Sequence, residues 1–330
     1  MKAPTVVCFG ETMGMFTPTS SVPLDTADGF TLGAGGAESN VAMHLAELGH
    51  AVAWAGAVGT DPVGTRIIGA LDSAGVDTRW VGRTAHAPTG LYLKEPDTGN
   101  GAHVFYYRRG SAGSMLTIQD AVGWPLAGAR WIHTTGITAA LSDTCSALVE
   151  HVLDHAGAWG ASVSFDINFR PGLWPITEAA PRLRALARKA TVVFVGLDEA
   201  ATLWGCRTAA EVRALLPEPR YLVVKDSSTD ATEFVRHGDG GESVTTVLAH
   251  SVEVVEPVGA GDAFAAGYLS GLIGEAPSAE RLERGHSRAA WALGSREDFR
   301  PGLGRRLSAD EPPEPAVTHD RSVEPRRQPA

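Results

Sequence analysis

A glycine turn in the last third of the chain carries the residues best suited to chemistry. Gly259, Ala260, Gly261 and Asp262 run directly into an apolar stretch at 263–272. Glycine lets the backbone turn tightly and approach a ligand, and the first N–H groups of a helix that starts here have no partner inside it. These amides would bind an anion such as a phosphoryl group, while Asp262 could take a proton from an attacking hydroxyl. An ordinary helix start with an aspartate in its first turn would use the same residue types.

A second glycine turn lies near the N-terminus, where Gly35 and Gly36 precede a predicted helix. The two glycines allow close backbone approach to a ligand, and Asn40, one turn into the helix, offers an amide donor and acceptor to the same space. Alone, this pattern is weak evidence for a site. It gains weight from the Asp262 turn, more than 200 residues further along the chain.

Both turns lie within an alternation of short β-rich runs and helical patterns, which is typical of βαβ units around a mainly parallel sheet. Strands are predicted at 5–9, 52–58, 129–134, 162–166, 191–195, 221–225, 232–235 and 244–248. Helices are predicted at 37–48, 62–74, 142–158 and 176–188, in addition to the helix that contains Asp262. The predicted fold class is therefore α/β.

Two intervals break the alternation, and we expect them to form a small β lid at about 16–34 and 89–112. In the second interval, runs at 90–94 and 102–108 flank a glycine-bearing loop at 97–101, which predicts a β-hairpin. Such additions commonly close over a site, although a plain edge hairpin has the same pattern. The domain is expected to span 1–307, because residues 308–330 are rich in Pro, Glu and Arg and are predicted to be disordered.

Composition and charge argue against several classes of function. The chain has 330 residues, a formal net charge of −10 and no block of Lys and Arg, so neither nucleic acid nor an anionic membrane is an expected partner. Cys8, Cys145 and Cys206 are widely spaced, which indicates neither disulfides nor a thiolate metal site. No apolar run has the length of a membrane span or a signal sequence, and we expect a cytoplasmic protein. The motifs of P-loop NTPases and of dinucleotide-binding oxidoreductases are both missing.

The two glycine turns together match the signatures of the ribokinase-like (PfkB-type) carbohydrate kinases, which the chain resembles over about residues 6–300. The resemblance implies a three-layer α/β/α sandwich and the cofactors ATP and Mg²⁺. It makes Asp262 the catalytic base, with the three preceding amides on the transferring phosphoryl group. It also implies that Glu199 holds magnesium through water and that Lys225, Gly259 and Gly261 lie at the nucleotide.

Within the family, the stretches 89–93, 104–114, 135–142 and 166–174 are similar to the 2-keto-3-deoxygluconate kinases. This similarity implies a set of sugar-facing residues, namely Gly36, Asn40, Tyr92, Tyr106, Arg108 and Arg170. Arginine recognises a carboxylate through a planar, charged pair of hydrogen bonds, so two arginines here favour an acid substrate. The expected reaction converts a keto-deoxy sugar acid to its 6-phosphate, and the resemblance also implies a homo-oligomer formed through the lid.

Two alternatives stay open at the level of sequence. One is another kinase of the same family, fructokinase-like or specific for a related deoxy-keto acid. The other is a sugar-acid binding protein without activity, suggested by the loop after 221–225, where the family has a glycine turn and this chain has two aspartates, Asp226 and Asp230. Two smaller departures are Gly196, where the family usually has a polar residue, and Glu256, where it often has Asp.

Overall fold

The computed structural model describes residues 3–95, 103–295, 298–299 and 301–302, and the structural statements below concern these residues. The predicted hairpin loop at 97–101 and the predicted disordered tail at 308–330 lie outside them. In the part of the chain that the structure describes, no helix is both long and apolar enough to cross a bilayer.

The strands and helices alternate over most of the chain. The strands are β1 (Val6–Phe9), β2 (Met13–Pro18), β3 (Phe30–Gly35), β4 (Val52–Gly59), β5 (Val81–Thr84), β6 (Leu91–Glu95), β7 (His103–Tyr107), β8 (Trp131–Thr135), β9 (Ser162–Asp166), β10 (Val192–Gly196), β11 (Tyr221–Asp226), β12 (Asp230–Arg236) and β13 (Glu242–Leu248). The helices are α1 (Ala37–Glu47), α2 (Pro62–Ser73), α3 (Ile118–Ala121), α4 (Gly136–Ala140), α5 (Asp143–His155), α6 (Ile176–Ala187), α7 (Leu197–Trp204), α8 (Ala209–Leu215), α9 (Ala260–Ile273) and α10 (Ser278–Leu293).

Nine strands form the central sheet, in the order β13-β12-β11-β10-β9-β8-β1-β4-β5. The pairs from β11 to β5 are parallel, whereas β12 and β13 are added antiparallel at one edge. Both faces are covered by helices, so inner strands such as β1 are apolar on both sides, with Val7 and Phe9 in one core and Val6 and Cys8 in the other. The predicted α/β class and mainly parallel sheet are confirmed.

Each layer of helices buries one of these two cores. Helices α5, α6, α7 and α8 supply residues to the core that contains Val7, and helices α1, α2, α9 and α10 supply or flank the core that contains Val6. Helix α9 is buried along almost its whole length, from Ala263 to Leu272. Because it is apolar on every side, its position is fixed by packing, which gives its N-terminus a rigid support.

A second sheet of four strands, in the order β3-β2-β6-β7, forms the region predicted as a lid. Strands β6 and β7 pair antiparallel, with Tyr92 opposite Tyr106, as the predicted hairpin requires. Strand β2 joins this hairpin in parallel through β6 and pairs antiparallel with β3. Strand β3 ends at Gly35, so the lid leads directly into the Gly36 turn and helix α1.

Sequence reasoning missed helix α10, and the structure shows why. Its buried residues include Arg281 and Arg288, which ion-pair with Glu233 and Glu47 respectively, and also His286. A buried face that contains two arginines and a histidine does not show the apolar period expected of an amphipathic helix. Only the partners, which lie on other elements, make this burial favourable.

The hairpin turn between β11 and β12 contains a strained residue. Ser227 has a φ of 46°, in the left-handed region that glycine adopts without strain. Asp226 and Asp230 face each other at the base of the turn, and the three residues between them are exposed. The turn therefore has a backbone conformation typical of glycine at a position that is occupied by Ser227.

We expect Ser227→Gly to raise the free energy of unfolding by about 0.5–1 kcal/mol. The left-handed conformation costs a non-glycine residue about 1–2 kcal/mol, and the greater freedom of glycine in the unfolded chain offsets about half of that. Urea denaturation measures the difference. Ser228→Gly, in the same turn at a residue without positive φ, should lower stability. Equal losses in both variants would contradict the assignment of strain to Ser227.

Candidate active site

The candidate site lies at the carboxyl edge of the central sheet. Asp166 is the last residue of β9, Gly196 ends β10 just before Glu199, and Lys225 is next to last in β11. Because these strands are parallel neighbours, their carboxyl ends meet at one edge, the usual position of ligand sites in open α/β sheets. The start of helix α9, with Asp262 in its first turn, completes the cluster.

Asp262 has the environment expected of a proton acceptor. Its Oδ2 accepts a hydrogen bond from Asn40 Nδ2 at 2.8 Å. Burial raises the pKa of Asp262 to about 7; the charges of Asp166 and Asp298 add to this rise, and the Asn40 hydrogen bond and Arg170 oppose it. A carboxyl that titrates near neutral pH is matched to general base catalysis there.

The turn before Asp262 is set by glycine. Gly259 caps α9 with a φ of 87°, a left-handed conformation in which a side chain would be strained. A methyl group built on Gly261 would lie 3.6 Å from Lys225 Nζ, so the helix start and the ammonium group are neighbours. The N-terminus of α9 thus presents backbone amides beside a fixed positive charge, which suits a phosphoryl group.

Lys225 is the cation of the cluster. Its Nζ donates to Asp166 Oδ2 at 2.9 Å. Burial by itself lowers the pKa of Lys225, but the carboxylates of Asp166, Glu199 and Asp262 more than offset this and leave its pKa above the usual value. Lys225 therefore stays charged at neutral pH and holds together groups that would otherwise repel one another.

Glu199 lies at the start of α7, and two backbone amides hold its carboxylate. Its Oε1 accepts from the N–H of Phe169 and its Oε2 from the N–H of Gly196, each at 2.8 Å. Burial, and then the charge of Asp166, raise the pKa of Glu199. Gly196, at the position where the family usually has a polar side chain, takes part through its backbone alone.

The carboxylates of this cluster could bind magnesium only together with oxygen ligands from elsewhere. Within the described ranges, no group of three or more His, Cys, Asp or Glu side chains could hold a metal by itself. Mg²⁺ commonly keeps several waters and uses one or two carboxylates together with substrate phosphates. A fixed carboxylate such as Glu199, orienting water, is compatible with that mode of binding.

Of the residues predicted to face the sugar, Gly36 and Asn40 lie where strand β3 of the lid leads into helix α1. Gly36 has an extended backbone, with a φ of 178°, and glycine is required there because a Cβ would collide with the carbonyl oxygen of Glu11. Asn40 is buried, and its Oδ1 has no hydrogen-bond partner among the described residues. Asn40 therefore joins the N-terminal glycine turn to the Asp262 carboxylate directly.

The two tyrosines of the lid differ in exposure. Tyr92 is buried and donates to Asp298 Oδ2 at 2.6 Å, whereas Tyr106, whose ring centre lies 5.8 Å from that of Tyr92, is 49% exposed. Lys94, on the same face of β6 as Tyr92, is also buried and ion-pairs with Asp298. Asp298 thus connects the lid to the segment that follows α10.

The two arginines predicted to recognise a carboxylate have different surroundings. Arg108 Nε donates to Glu11 Oε2 at 2.6 Å, and its guanidinium lies 5.6 Å from the ring centre of Tyr106. Arg170 is exposed and forms no ion pair with any residue of the described chain, yet it lies close enough to Asp262 and Glu199 to oppose the rise of their pKa values. Of the two, only Arg170 offers a charge that the protein leaves without a direct partner.

Sequence reasoning missed four charged residues of the site: Glu11, Lys94, Asp166 and Asp298. Asp166 had a signal, because it ends a predicted strand within one of the stretches shared with the subfamily. The other three act through partners far away in sequence, and nothing in their local pattern indicates a site.

The loop with Asp226 and Asp230 begins directly after Lys225, at the same edge of the sheet.

Comparison with known proteins gives a consistent result. Residues 3–300 match the pfkB family carbohydrate kinase. The chain is 34% identical to a 2-dehydro-3-deoxygluconokinase of Bacillus subtilis over 90% of each sequence. Its fold is similar to the crystal structure of a PfkB protein from Polaromonas sp. JS666, with a TM-score of 0.83 and 32% identity over 93% of this chain and 100% of that one. It is also similar to a fructokinase from Xylella fastidiosa with bound ATP, with a TM-score of 0.76 and 28% identity over 92% and 97% of the two chains.

We expect Asn40→Ala to raise the pKa of Asp262 above its value of about 7 in the unmodified protein. The Asn40 amide donates to the ionised carboxylate, so its loss destabilises the charged form. Titration by ¹³C NMR of aspartate-labelled protein measures the shift, with Asp262→Asn to assign the resonance. Asn168→Gly, which suits the φ of 40° at that position, removes a second asparagine from the same edge and should leave the value near 7. An unchanged or lower pKa in Asn40→Ala would exclude this role.

Proposed function

The chain belongs to the pfkB family of carbohydrate kinases, and we propose that it transfers the γ-phosphoryl group of ATP to the primary hydroxyl of a keto-deoxy sugar acid. The proposed substrate is 2-keto-3-deoxygluconate and the product its 6-phosphate. The observation that carries the proposal is the pairing of Asp262 with Asn40 at the start of α9, between the nucleotide-side cluster and the lid that carries Arg108.

Asp262 is the proposed base of the reaction. With a pKa of about 7 it is substantially ionised at neutral pH and basic enough to accept the proton of the attacking hydroxyl. Asn40 Nδ2 holds Oδ2, which leaves Oδ1 to receive that proton. Phosphoryl transfer requires positioning and charge stabilisation more than covalent chemistry, so a fixed base beside an anion site supplies the main components.

The proposed phosphoryl site is the N-terminus of α9. The amides of Gly259, Ala260 and Gly261 carry the partial positive charge of a helix start, and Lys225 lies beside them. ATP is the proposed donor, as suggested by the ATP bound to the similar fructokinase. Mg²⁺, when bound, would neutralise charge on the phosphate oxygens, and Glu199 is the residue proposed to orient its water.

The substrate class rests on the two arginines and on the relatives. A carboxylate on the sugar would find the free guanidinium of Arg170 and the hydrogen-bond donors of Arg108 on the sugar side of Asp262, with Gly36, Tyr92 and Tyr106 around it. A neutral sugar has no group that requires a free arginine. The 2-dehydro-3-deoxygluconokinase of B. subtilis, which acts on such an acid by name, supports this choice.

A fructokinase-like activity is the second candidate, favoured by the similarity to the Xylella enzyme. A binding protein without activity is a weaker alternative, because the proposed base, its asparagine partner and the glycine turn are all in place.

We further propose a homo-oligomer formed through the lid. Its strand β7 exposes Phe105, Tyr106 and Tyr107, and an aromatic edge strand of this kind gains stability when it is covered.

Asp262→Asn is expected to lower kcat by about 10²–10⁴-fold or more, because the general base is lost. Sugar-acid affinity should change by only a few fold, since the amide keeps the shape of the side chain and can still accept from Asn40. Turnover and calorimetric titration on one preparation measure the two effects. A variant that retains more than about a tenth of the original kcat would remove Asp262 from this role.

Arg170→Leu is expected to raise KM for the sugar acid by about 10–100-fold, equivalent to about 1.5–3 kcal/mol for a charged hydrogen bond. Arg188→Leu, which removes an exposed arginine paired with Glu218 far from the site, is the matched control and should leave KM unchanged. A coupled ADP-release assay over sugar acids and neutral sugars makes the comparison. If the unmodified protein prefers fructose or ribose to every acid, the neutral-sugar kinase is the correct assignment.

A further inference from the structure

Glu11 is a buried charge that the proposed reaction does not use. It follows β1 at the carboxyl edge of the sheet and is 2% exposed. Its Oε2 accepts from Arg108 Nε at 2.6 Å and also pairs with Nη2, while its Oε1 accepts from the hydroxyl of Ser111. A buried carboxylate is costly unless it is paired, so this arrangement constrains the lid residue Arg108 as strongly as it constrains Glu11.

The position of Glu11 is fixed from several sides. A Cβ on Gly113 would collide with its side chain, a Cβ on Gly90 would crowd its Oε1, and its carbonyl oxygen lies against Gly36. Two of these neighbours flank the lid hairpin and the third belongs to the N-terminal glycine turn. Glu11 therefore connects three of the segments that surround the proposed sugar site, and its carboxylate has little freedom to move.

From this geometry we infer that Glu11 is a positioning residue, which orients the Arg108 guanidinium toward the sugar and cancels its charge. The inference rests on the proposed function, because it takes Arg108 to face the substrate. Glu11 holds the edge of the guanidinium formed by Nε and Nη2, and the planar fork then directs Nη1 away from Glu11. Arg108 contributes directed hydrogen bonds, and Arg170 contributes the free charge.

The different roles of Arg108 and Arg170 follow from the charges around each of them. Arg108 lies in direct contact with Glu11 and close enough to the buried Glu38 to lower the pKa of that carboxyl, which burial raises. Its positive charge is therefore fully matched by the protein. A substrate carboxylate would gain little net attraction from Arg108 but could still accept its hydrogen bonds in a fixed direction.

A double-mutant cycle on the full chain tests the inference. The variants are Glu11→Gln, Arg108→Leu and both together, with KM and kcat measured for 2-keto-3-deoxygluconate and thermal unfolding measured without ligand. Glu233→Gln is the matched control, because Glu233 is a fully buried carboxylate paired with Arg281 away from the sugar side. It should lower the unfolding temperature and leave KM unchanged.

If Glu11 acts through Arg108, Glu11→Gln raises KM by about tenfold, equivalent to about 1.4 kcal/mol, with kcat within about threefold. The double variant should then match Arg108→Leu within about twofold, because Glu11 has nothing left to position. It should also unfold at a higher temperature than Arg108→Leu, which leaves a buried carboxylate without its cation.

Two results would overturn the inference while the proposed function stands: an unchanged or lower KM in Glu11→Gln when Arg108→Leu raises it, or KM effects that simply multiply in the double variant. If the unmodified protein instead prefers a neutral sugar, the proposed substrate class fails. The double-mutant cycle can then be repeated with the preferred sugar. The role of Glu11 is judged again by whether its effect on KM disappears when Arg108 is replaced.

Discussion

An imbalance of charge at the carboxyl edge of the sheet is the constraint on which the site depends. Asp166, Glu199 and Asp262 converge there, and Lys225 pairs directly with Asp166 and interacts electrostatically with the other two carboxylates. Near a protein surface, unit charges about 4 Å apart interact with roughly 4 kcal/mol, so uncompensated repulsion on this scale is a sizeable fraction of the net stability of a domain. Burial raises the pKa of Asp262 to about 7, and the charges of Asp166 and Asp298 add to that rise, so Asp262 binds a proton more tightly than an ordinary aspartate.

Backbone amides compensate part of the charge of Glu199, whereas the side chains of Asn40 and Arg170 compensate that of Asp262. Glu199 accepts from the N–H groups of Phe169 and Gly196, and the first turn of α9 lies beside Lys225 of the same cluster. Glycine is required at 259, where the backbone has a φ of 87° and a Cβ would lie 3.0 Å from the carbonyl oxygen of Asp298. Under the proposed function, a phosphate that arrives with magnesium would suit this site, because the metal would complete the charge balance.

The parts of this arrangement that depend on local sequence could be predicted, and those that depend on distant pairing could not. Alternating apolar runs located most strands and helices of the central sheet within a few residues, and the glycine turn identified Asp262 with its helix. The 2.9 Å contact between Lys225 and Asp166 joins residues 59 positions apart, and it exists because β9, β10 and β11 are parallel neighbours. Helix α10 was missed for a related reason, since its buried arginines have partners on other elements.

The lid and helix α9 are linked through Asp298. On one side Asp298 holds Tyr92 and Lys94 of β6, and on the other its backbone lies against Gly259 at the start of α9. Its charge also contributes to the raised pKa of Asp262. Any movement of β6 away from the core separates Lys94 from Asp298 and changes the charge balance around the base. The position of the lid and the proton affinity of Asp262 are therefore coupled through one buried carboxylate.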